Sequence, residues 1–158
     1  PAHASASSVL NCFPIEYASY FKFAFFRSPY EYVVSDYKKG RKCEIGSFDE
    51  YLRRMANPDK PEPKGMEMRP TPRTNIDVYT FNREQLAVDY LGDYNYLSKD
   101  TGIICDRIGL PFDKRLYPHM QASKNKKGPD NLTVEQAKLV EAGFQSELRF
   151  LRKNNYLE

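Results

Sequence analysis

The chain has 158 residues, of which 41% are hydrophobic, 14% aromatic and 28% charged, and its net charge is +3. This length suits a single domain over residues 1–158 that can bury a substantial core. The weak positive charge permits an anionic ligand but argues against a nucleic-acid-binding module, which usually carries a strong basic stripe. No apolar run in the sequence approaches membrane-spanning length.

The cysteine pattern bears on metal binding and on the redox environment. Cys12, Cys43 and Cys105 form no C-x-x-C pair, and the two histidines lie far apart in sequence. This pattern does not match a structural zinc site, and no metal is predicted. An odd number of widely spaced cysteines indicates reduced, mostly buried thiols. We therefore expect a cytoplasmic location, with the Golgi lumen as the alternative if an N-terminal anchor has been removed.

The first part of the chain is predicted to form a helix, then a strand, then a second helix. Apolar residues recur on a helical period up to Phe13, and Pro14 is predicted to end that helix before a turn. Residues 21–26 are an aromatic-rich run of strand length. Arg27 would then stand at the carboxyl end of a strand, where open α/β sheets bind ligands.

Pro29 is well placed to begin the next helix, because a proline in the first turn needs no N–H group. The apolar residues beyond it follow helical spacing: Tyr30, Val33, Val34 and Tyr37. Ser35 then lies about two turns into this helix. The basic, glycine-containing segment 38–46 that follows is either a solvated loop or a rim that attracts an anion.

The middle of the chain contains one clear helix and a long loop. Ser47 and Glu50 are spaced as a capping box, and the helix that they begin is predicted to run to about Met55. Its buried stripe is predicted to be Phe48, Tyr51, Leu52 and Met55. Five of the eleven prolines fall within residues 57–75, so this segment is predicted to be a long loop.

Two strand candidates follow the loop. Residues 76–81 alternate as a half-buried strand would, but they fit equally well as an extended lead into a helix over 83–86. Residues 88–92 are the better strand. A helix is then predicted over 98–108, with Ser98 as its N-cap. Its predicted buried face is Leu97, Thr101, Ile103, Ile104 and Ile108.

The last element is predicted to be a single long helix. Thr133 and Gln136 form a second capping box, and Asn154 and Asn155 end the helix. Its apolar face is predicted to be Ala137, Val140, Phe144, Leu148 and Leu151. This helix is interpreted as scaffold, with its charges on the solvated face.

The stretch around Arg27 resembles a known family. An Arg-x-Pro sequence that begins at Arg27, with Ser35 eight residues later, is similar to an element of sulfotransferases that use 3′-phosphoadenosine 5′-phosphosulfate (PAPS). The family pattern is a hydrophobic strand and then Arg-Asn/Asp-Pro-x-x-Arg-x-x-Ser-x-Tyr. The resemblance implies that Arg27 and Ser35 bind the nucleotide's 3′-phosphate. Ser28 replaces the usual Asn or Asp, and Tyr32 stands where a second Arg is common.

Two downstream regions follow the outline of the same family. Residues 92–97 and 107–111 are similar to a strand end reading Gly-x-Phe-Glu-x-Leu and to a helix that ends in a Leu-Gly-Leu-Pro-like turn. Asn95 replaces the usual Glu. Residues 118–128 resemble a turn followed by a basic loop that closes over the 3′-phosphate; the alternative is a solvated loop. The implied nucleotide contacts are Ser123, Lys124, Lys126 and Lys127.

The resemblance implies both a fold and a reaction. The fold is α/β and P-loop NTPase-like, with three layers in which helices flank a parallel sheet. The reaction is in-line transfer of a sulfuryl group from PAPS to a hydroxyl or amine acceptor, such as a carbohydrate. His3 stands where some glycan sulfotransferases carry a general base, a role that suits imidazole; the alternative is a terminal histidine without a role.

One part of the family pattern has no counterpart in this sequence. The loop that binds the 5′-phosphosulfate usually reads Pro-Lys-x-Gly-(Gly/Thr)-(Thr/Ser), and none of the eight glycines lies in such a loop. We therefore expect the first strand and this loop to precede Pro1, and the chain alone to be incompetent for transfer. The alternative function is a non-catalytic sulfotransferase-like binding domain.

Overall fold

The computed structural model describes residues 4–38, 46–57, 74–116 and 131–157. In these ranges the chain is a mixed α/β structure with a parallel pair of strands, a short antiparallel pair and eight α-helices. The elements are α1 (Ala6–Cys12), α2 (Pro14–Ser19), β1 (Phe23–Phe26), α3 (Pro29–Lys38), α4 (Phe48–Ala56), α5 (Ile76–Tyr79), β2 (Thr80–Phe81), β3 (Gln85–Leu86), β4 (Tyr90–Asp93), α6 (Leu97–Arg107), α7 (Val134–Gly143) and α8 (Gln145–Lys153). Short 3₁₀ helices cover Tyr94–Tyr96 and Lys114–Leu116.

The parallel sheet is formed by β1 and β4. The register runs from Phe23 opposite Tyr90 to Phe26 opposite Asp93. Both predicted strands are confirmed, and each begins two residues later than the sequence indicated. Lys22 secures the start of the pair, because its N–H donates to the Asp89 carboxylate at 2.8 Å and its ammonium lies 2.8 Å from the same oxygen.

Helices cover both faces of this sheet. On one face Phe26 and Leu91 pack in a buried cluster with side chains of α5 and α8. Successive residues of a strand point to opposite faces, so Phe25 and Gly92 face the other side, where α6 lies. A Cβ at Gly92 would come within 2.7 Å of the Phe25 ring and 3.0 Å of the Asp100 carboxylate. The order of layers is therefore helix, sheet, helix.

A second buried cluster joins α3, α4, α7 and α8. Its fully buried members are Val33, Phe48, Tyr51, Leu52, Met55, Val140, Phe144 and Leu148. This confirms the stripe predicted for α4, and it confirms Val33, Val140, Phe144 and Leu148 of the other predicted stripes. Leu151 belongs to the first cluster instead, and Ala137 is only partly buried. The predicted single C-terminal helix is instead two helices that meet at Phe144. Near this break α7 packs closely on α4, since a Cβ at Gly143 would lie 3.0 Å from the Met55 carbonyl oxygen.

Of the two predicted capping boxes one is complete and the other is half-formed, and the predicted N-cap Ser98 is not a cap. The Thr133 capping box is complete, with reciprocal contacts to Gln136 of 3.2 and 3.0 Å. Ser47 accepts from the Glu50 N–H at 3.3 Å, while the Glu50 carboxylate pairs with Arg54 at 3.0 Å. Ser98 is not an N-cap, because α6 begins one residue earlier and the Ser98 hydroxyl is buried without a hydrogen-bond partner among the described residues.

Residues 14–19 form a second helix, which corrects the predicted turn. The first helix does end before Pro14, as expected, but Pro14 is then the first residue of α2. A proline that cannot continue one helix is suited to begin the next, since its missing N–H is not needed there. Cys12, at the end of α1, is exposed, so the prediction of buried thiols is wrong for this residue.

Residues 76–81 do not form the predicted single strand, and residues 83–86 do not form a helix. One helical turn, α5, buries Ile76 and Tyr79, and the hairpin of β2 and β3 follows. Its turn has positive φ at Asn82 (52°) and Arg83 (60°), a conformation that matches the twist of hairpin strands. The alternating pattern was misleading because Ile76 and Tyr79 are three residues apart, and this spacing also places two side chains on one face of a helical turn.

Glu147 is a carboxyl group inside the core. It is 3% exposed and accepts a hydrogen bond of 2.7 Å from the Tyr79 hydroxyl. Burial raises its pKa to about 7, although the Tyr79 hydroxyl and the Asn75 backbone N–H both favour the charged form.

None of the helices in the four described ranges is long and apolar enough to cross a membrane.

Replacement of Glu147 by Gln is expected to change how stability depends on pH. In wild type the free energy of unfolding should fall as pH rises from about 4.5 to about 7, because only the folded state still holds the proton in this window. The slope is at most about 1.4 kcal/mol per pH unit. Glu147→Gln should flatten the curve in urea unfolding experiments, whereas the exposed control Glu84→Gln should not. Parallel curves for wild type and Glu147→Gln would contradict this assignment.

Gly92→Ala is expected to destabilise the protein by about 1–3 kcal/mol, because the added methyl group has to displace the Phe25 ring or Asp100. Gly102→Ala, in α6, is the matched control. Its methyl group would meet the movable Phe112 side chain at 3.2 Å, and alanine favours the helix by about 1 kcal/mol. Urea unfolding measures both variants. Equal stability of Gly92→Ala and wild type would show that the two layers are not in tight contact at this point.

Candidate functional site

A cleft beside α3 brings the two predicted 3′-phosphate ligands onto one surface. Arg27 directly follows β1, and Ser35 lies in α3. Both line a cleft of about 500 Å³. Its other lining residues are Tyr30, Glu31, Val34, Lys38, Asn131 and Leu132. The spacing of eight residues therefore gives the shared surface that the phosphate interpretation requires, while phosphate binding itself stays a prediction.

The turn from β1 into α3 fixes where Arg27 emerges. The Ser28 carbonyl oxygen accepts from the N–H groups of Glu31 and Tyr32 at 3.0 and 2.8 Å. Ser28 and Pro29 are buried, so this turn is part of the core rather than a surface loop. One helical face of α3 enters the core through Val33. Ser35, two residues later, is half-buried in the cleft wall.

Arg27 carries a charge without a counter-ion in the described ranges. No carboxylate of those ranges lies within 4.0 Å of its guanidinium, and its buried Nε has no hydrogen-bond partner there. Its guanidinium carbon lies 4.8 Å from the centre of the Tyr94 ring. Arginine is charged at every pH at which a protein is folded. The side chain is therefore oriented by an aromatic face and retains donors for an anion.

Glu31 is an acidic side chain of the same cleft. Its two carboxylate oxygens accept from the Asn95 amide nitrogen at 3.1 and 3.0 Å. Asn95 belongs to the 3₁₀ turn that follows β4, and its own N–H donates to the Asp93 carboxylate at 2.8 Å. The segment after β4 thus contacts both charged residues at the mouth of the β1–α3 turn.

A hydrogen-bonded triad supports another wall of the cleft. The Tyr30 hydroxyl donates to Glu141 at 2.8 Å, and Arg152 contacts both the hydroxyl (2.8 Å) and the carboxylate (3.0 Å). Hydrogen bonding from Arg152 lowers the pKa of Glu141, and burial raises the pKa of Tyr30. Because Arg152 and Glu141 neutralise each other, the triad ties α3 to α7 and α8 without adding net charge.

The contacts of Tyr94 and Asn95 with the cleft were not predicted, although both residues lie in the second family-like segment. The available signal was the parallel pairing, because the carboxyl ends of adjacent parallel strands meet at one edge of a sheet. Lys38 lines the cleft, and the other basic residues of segment 38–46 lie outside the described residues. Asn131 and Leu132 were missed, and no sequence pattern marks them.

Five predicted site residues lie outside the described residues, namely His3, Ser123, Lys124, Lys126 and Lys127. The chain re-enters the described part at Asn131, four residues after Lys127, and Asn131 lines the cleft. Among the residues that the structure describes, no group of three or more His, Cys, Asp or Glu side chains is placed to hold a metal ion.

No family model, no curated protein and no solved structure matches the chain. A functional assignment therefore depends on the motifs and on the geometry of the cleft. Two segments that carry the motifs, around Arg27 and after β4, contact each other through Arg27 and Tyr94 and through Glu31 and Asn95. Segments that are 64 residues apart in sequence thus form one site.

Replacement of Tyr94 by Leu is expected to release the Arg27 guanidinium, whereas Tyr94→Phe should retain it. A cation–aromatic contact at an exposed site contributes about 0.5–1 kcal/mol, and Tyr94 is 44% exposed, so both variants should fold. In ¹H–¹⁵N NMR spectra the Arg27 Nε–H signal should move towards that of a solvated arginine in Tyr94→Leu only. The Arg27→Lys variant identifies this signal, because the Arg27 Nε–H resonance is absent from its spectrum. Identical Arg27 signals in all three proteins would show that the ring does not hold the side chain.

Proposed function

We propose that the chain is the C-terminal part of a PAPS-dependent sulfotransferase domain whose cleft binds the 3′-phosphate of the nucleotide. The observation that carries the proposal is that Arg27, without a counter-ion in the described residues, shares a cleft of about 500 Å³ with Ser35. A phosphate monoester has a charge near −2 and three acceptor oxygens. The guanidinium and the hydroxyl are suitable donors to such a group.

The architecture supports this proposal at a coarser level. Arg27 lies at the carboxyl end of a parallel strand, the usual ligand-binding edge of open α/β sheets. Helices lie on both faces of the sheet, as in the proposed three-layer P-loop NTPase-like fold. The described part contains one pair of parallel strands.

In the proposed reaction a bond forms between the sulfur atom and the acceptor oxygen or nitrogen. The bond between sulfur and the bridging 5′-phosphate oxygen breaks, and the acceptor proton passes to a base, for which His3 is the candidate. The residues of the cleft would hold the nucleotide rather than touch the reacting sulfur. Their contribution would be positioning, as in phosphoryl transfer.

A non-catalytic nucleotide-binding domain on the same scaffold is the second candidate, and the position of Tyr32 favours it. This residue stands where the family commonly has a second Arg. Its ring packs edge-on against Phe144 in the helical core, with ring centres 5.9 Å apart. The position therefore serves packing in this chain. Transfer of a labelled sulfuryl group from PAPS to a hydroxyl acceptor by this chain would exclude the second candidate.

Calorimetric titration with 3′-phosphoadenosine 5′-phosphate tests the binding site, with 5′-AMP as the ligand that lacks the 3′-phosphate. We expect wild type to prefer the first ligand. Arg27→Ala should lose about tenfold to hundredfold in affinity, the value for a hydrogen bond to a charged group, and Ser35→Ala about twofold to tenfold. The exposed Arg149→Ala in α8 is the control. Equal affinities for the two nucleotides, or unchanged binding by Arg27→Ala, would refute the proposed site.

A further inference from the structure

We propose that Asn95 sets the affinity of the cleft for anions by holding the Glu31 carboxylate away from Arg27. The inference rests on the proposed function in treating the cleft as an anion site. It adds a positioning residue at a place where the family-like segment departs from its usual Glu. A glutamate at this position would have no N–H to offer to Glu31.

Arg27 and Glu31 form no ion pair with each other. Glu31 follows Arg27 by four residues, and both side chains line the same cleft. A carboxylate and a guanidinium so close along the chain are natural partners for a bidentate contact. In the described residues, however, no such contact within 4.0 Å is present for Arg27. The Arg27 guanidinium is therefore available to an anion, although the Glu31 carboxylate lines the same cleft.

The Glu31 carboxylate contacts Asn95 instead. Both of its oxygens lie at hydrogen-bond distance from the Asn95 amide nitrogen, at 3.1 and 3.0 Å. The preceding residue, Tyr94, presents its ring to the Arg27 guanidinium at 4.8 Å. Two consecutive residues thus bind the two opposite charges separately, one through an amide and the other through a ring.

Hydrogen bonds hold the backbone of the segment that carries Asn95. The Asp93 N–H donates to the buried Asp100 carboxylate at 2.7 Å. The Asp93 carboxylate in turn accepts from the Asn95 N–H at 2.8 Å. The turn that carries Asn95 is therefore held by a hydrogen bond within the turn and by a second one to α6. Its amide is neutral, so it holds Glu31 without adding a charge that would repel an anion.

The consequence concerns competition for Arg27. If the Asn95 amide is removed, Glu31 is free to pair with the guanidinium and to oppose an incoming phosphate. Exposed ion pairs of this kind correspond to changes of about twofold to fivefold in an equilibrium constant. Asn95→Ala should therefore weaken binding by that factor, and the weakening should require the charge of Glu31.

A double-mutant cycle tests the coupling with 3′-phosphoadenosine 5′-phosphate and, separately, inorganic phosphate as probes. The four proteins are wild type, Asn95→Ala, Glu31→Gln and the double variant. We expect Asn95→Ala to weaken binding about twofold to fivefold in the wild-type background and to have no effect in the Glu31→Gln background. Asn131→Ala, another asparagine of the cleft lining, should act equally in both backgrounds. Equal weakening by Asn95→Ala in both backgrounds, or no weakening in either, would overturn the proposal.

The Arg27 Nε–H signal in ¹H–¹⁵N NMR spectra provides a readout that needs no ligand. Release of Glu31 should shift this signal in Asn95→Ala, and Glu31→Gln should restore it. If wild type binds neither probe but the signal behaves in this way, the proposed function and the effect on anion affinity both fail, while the separation of Glu31 from Arg27 by Asn95 stands. If the probes bind and the signal is unaffected by Asn95→Ala, the role of Asn95 fails while the proposed function stands.

Discussion

The parallel pairing of β1 with β4 is the constraint on which the rest of the structure depends. It joins residues 23–26 to residues 90–93, which are distant in sequence, and it brings the segments that follow the two strands to one edge. Arg27 leaves that edge from the first strand, and Tyr94 and Asn95 leave it from the second. Without this pairing the arginine would have neither its aromatic support nor a neighbouring carboxylate held by an amide. The cleft is therefore a product of the sheet rather than of α3 alone.

The helix α8 connects this sheet to the helical half of the molecule. Phe150 and Leu151 belong to the cluster that covers the sheet, while Leu148 belongs to the cluster of α3, α4 and α7. On the same helix, Glu147 accepts a hydrogen bond from Tyr79 of α5. Arg152 contacts Tyr30 and Glu141 in the triad at the cleft wall. One short helix thus contributes to both cores and to the site. The break between α7 and α8 at Phe144 changes the helix direction, so that α7 packs in the second cluster while α8 also packs in the cluster that covers the sheet.

Among the described residues of the cleft and its walls, some charges are paired while Arg27 has no carboxylate partner. Glu141 and Arg152 neutralise each other, and Glu31 is held by a neutral amide. Arg27 is supported by a ring, which orients a cation without cancelling its charge. This arrangement is what an anion-binding surface needs, because a guanidinium that is already paired with a carboxylate offers little to a phosphate. The same arrangement would suit the proposed catalytic domain and the proposed binding domain equally, since either would have to hold the nucleotide.

The sequence by itself determined those features that depend on neighbouring residues. Hydrophobic periodicity gave the helices at 29–38 and 48–56 and their buried faces, and Thr133 gave a complete capping box. The spacing between Arg27 and Ser35 placed both on one wall, because a strand end and two helical turns have fixed dimensions. Local pattern failed at Pro14 and over residues 76–86, where the same residues suit more than one backbone conformation.

Only the tertiary structure decided which distant groups meet. No local signal indicates that Tyr94 supports Arg27, that Asn95 holds Glu31, or that Tyr32 is used for packing against Phe144. The physical reason is that these contacts depend on strand register and helix packing, which are set by the burial of whole apolar faces. A sequence pattern records which residues are apolar and how far apart they lie. It does not record which face of one element will lie against which face of another.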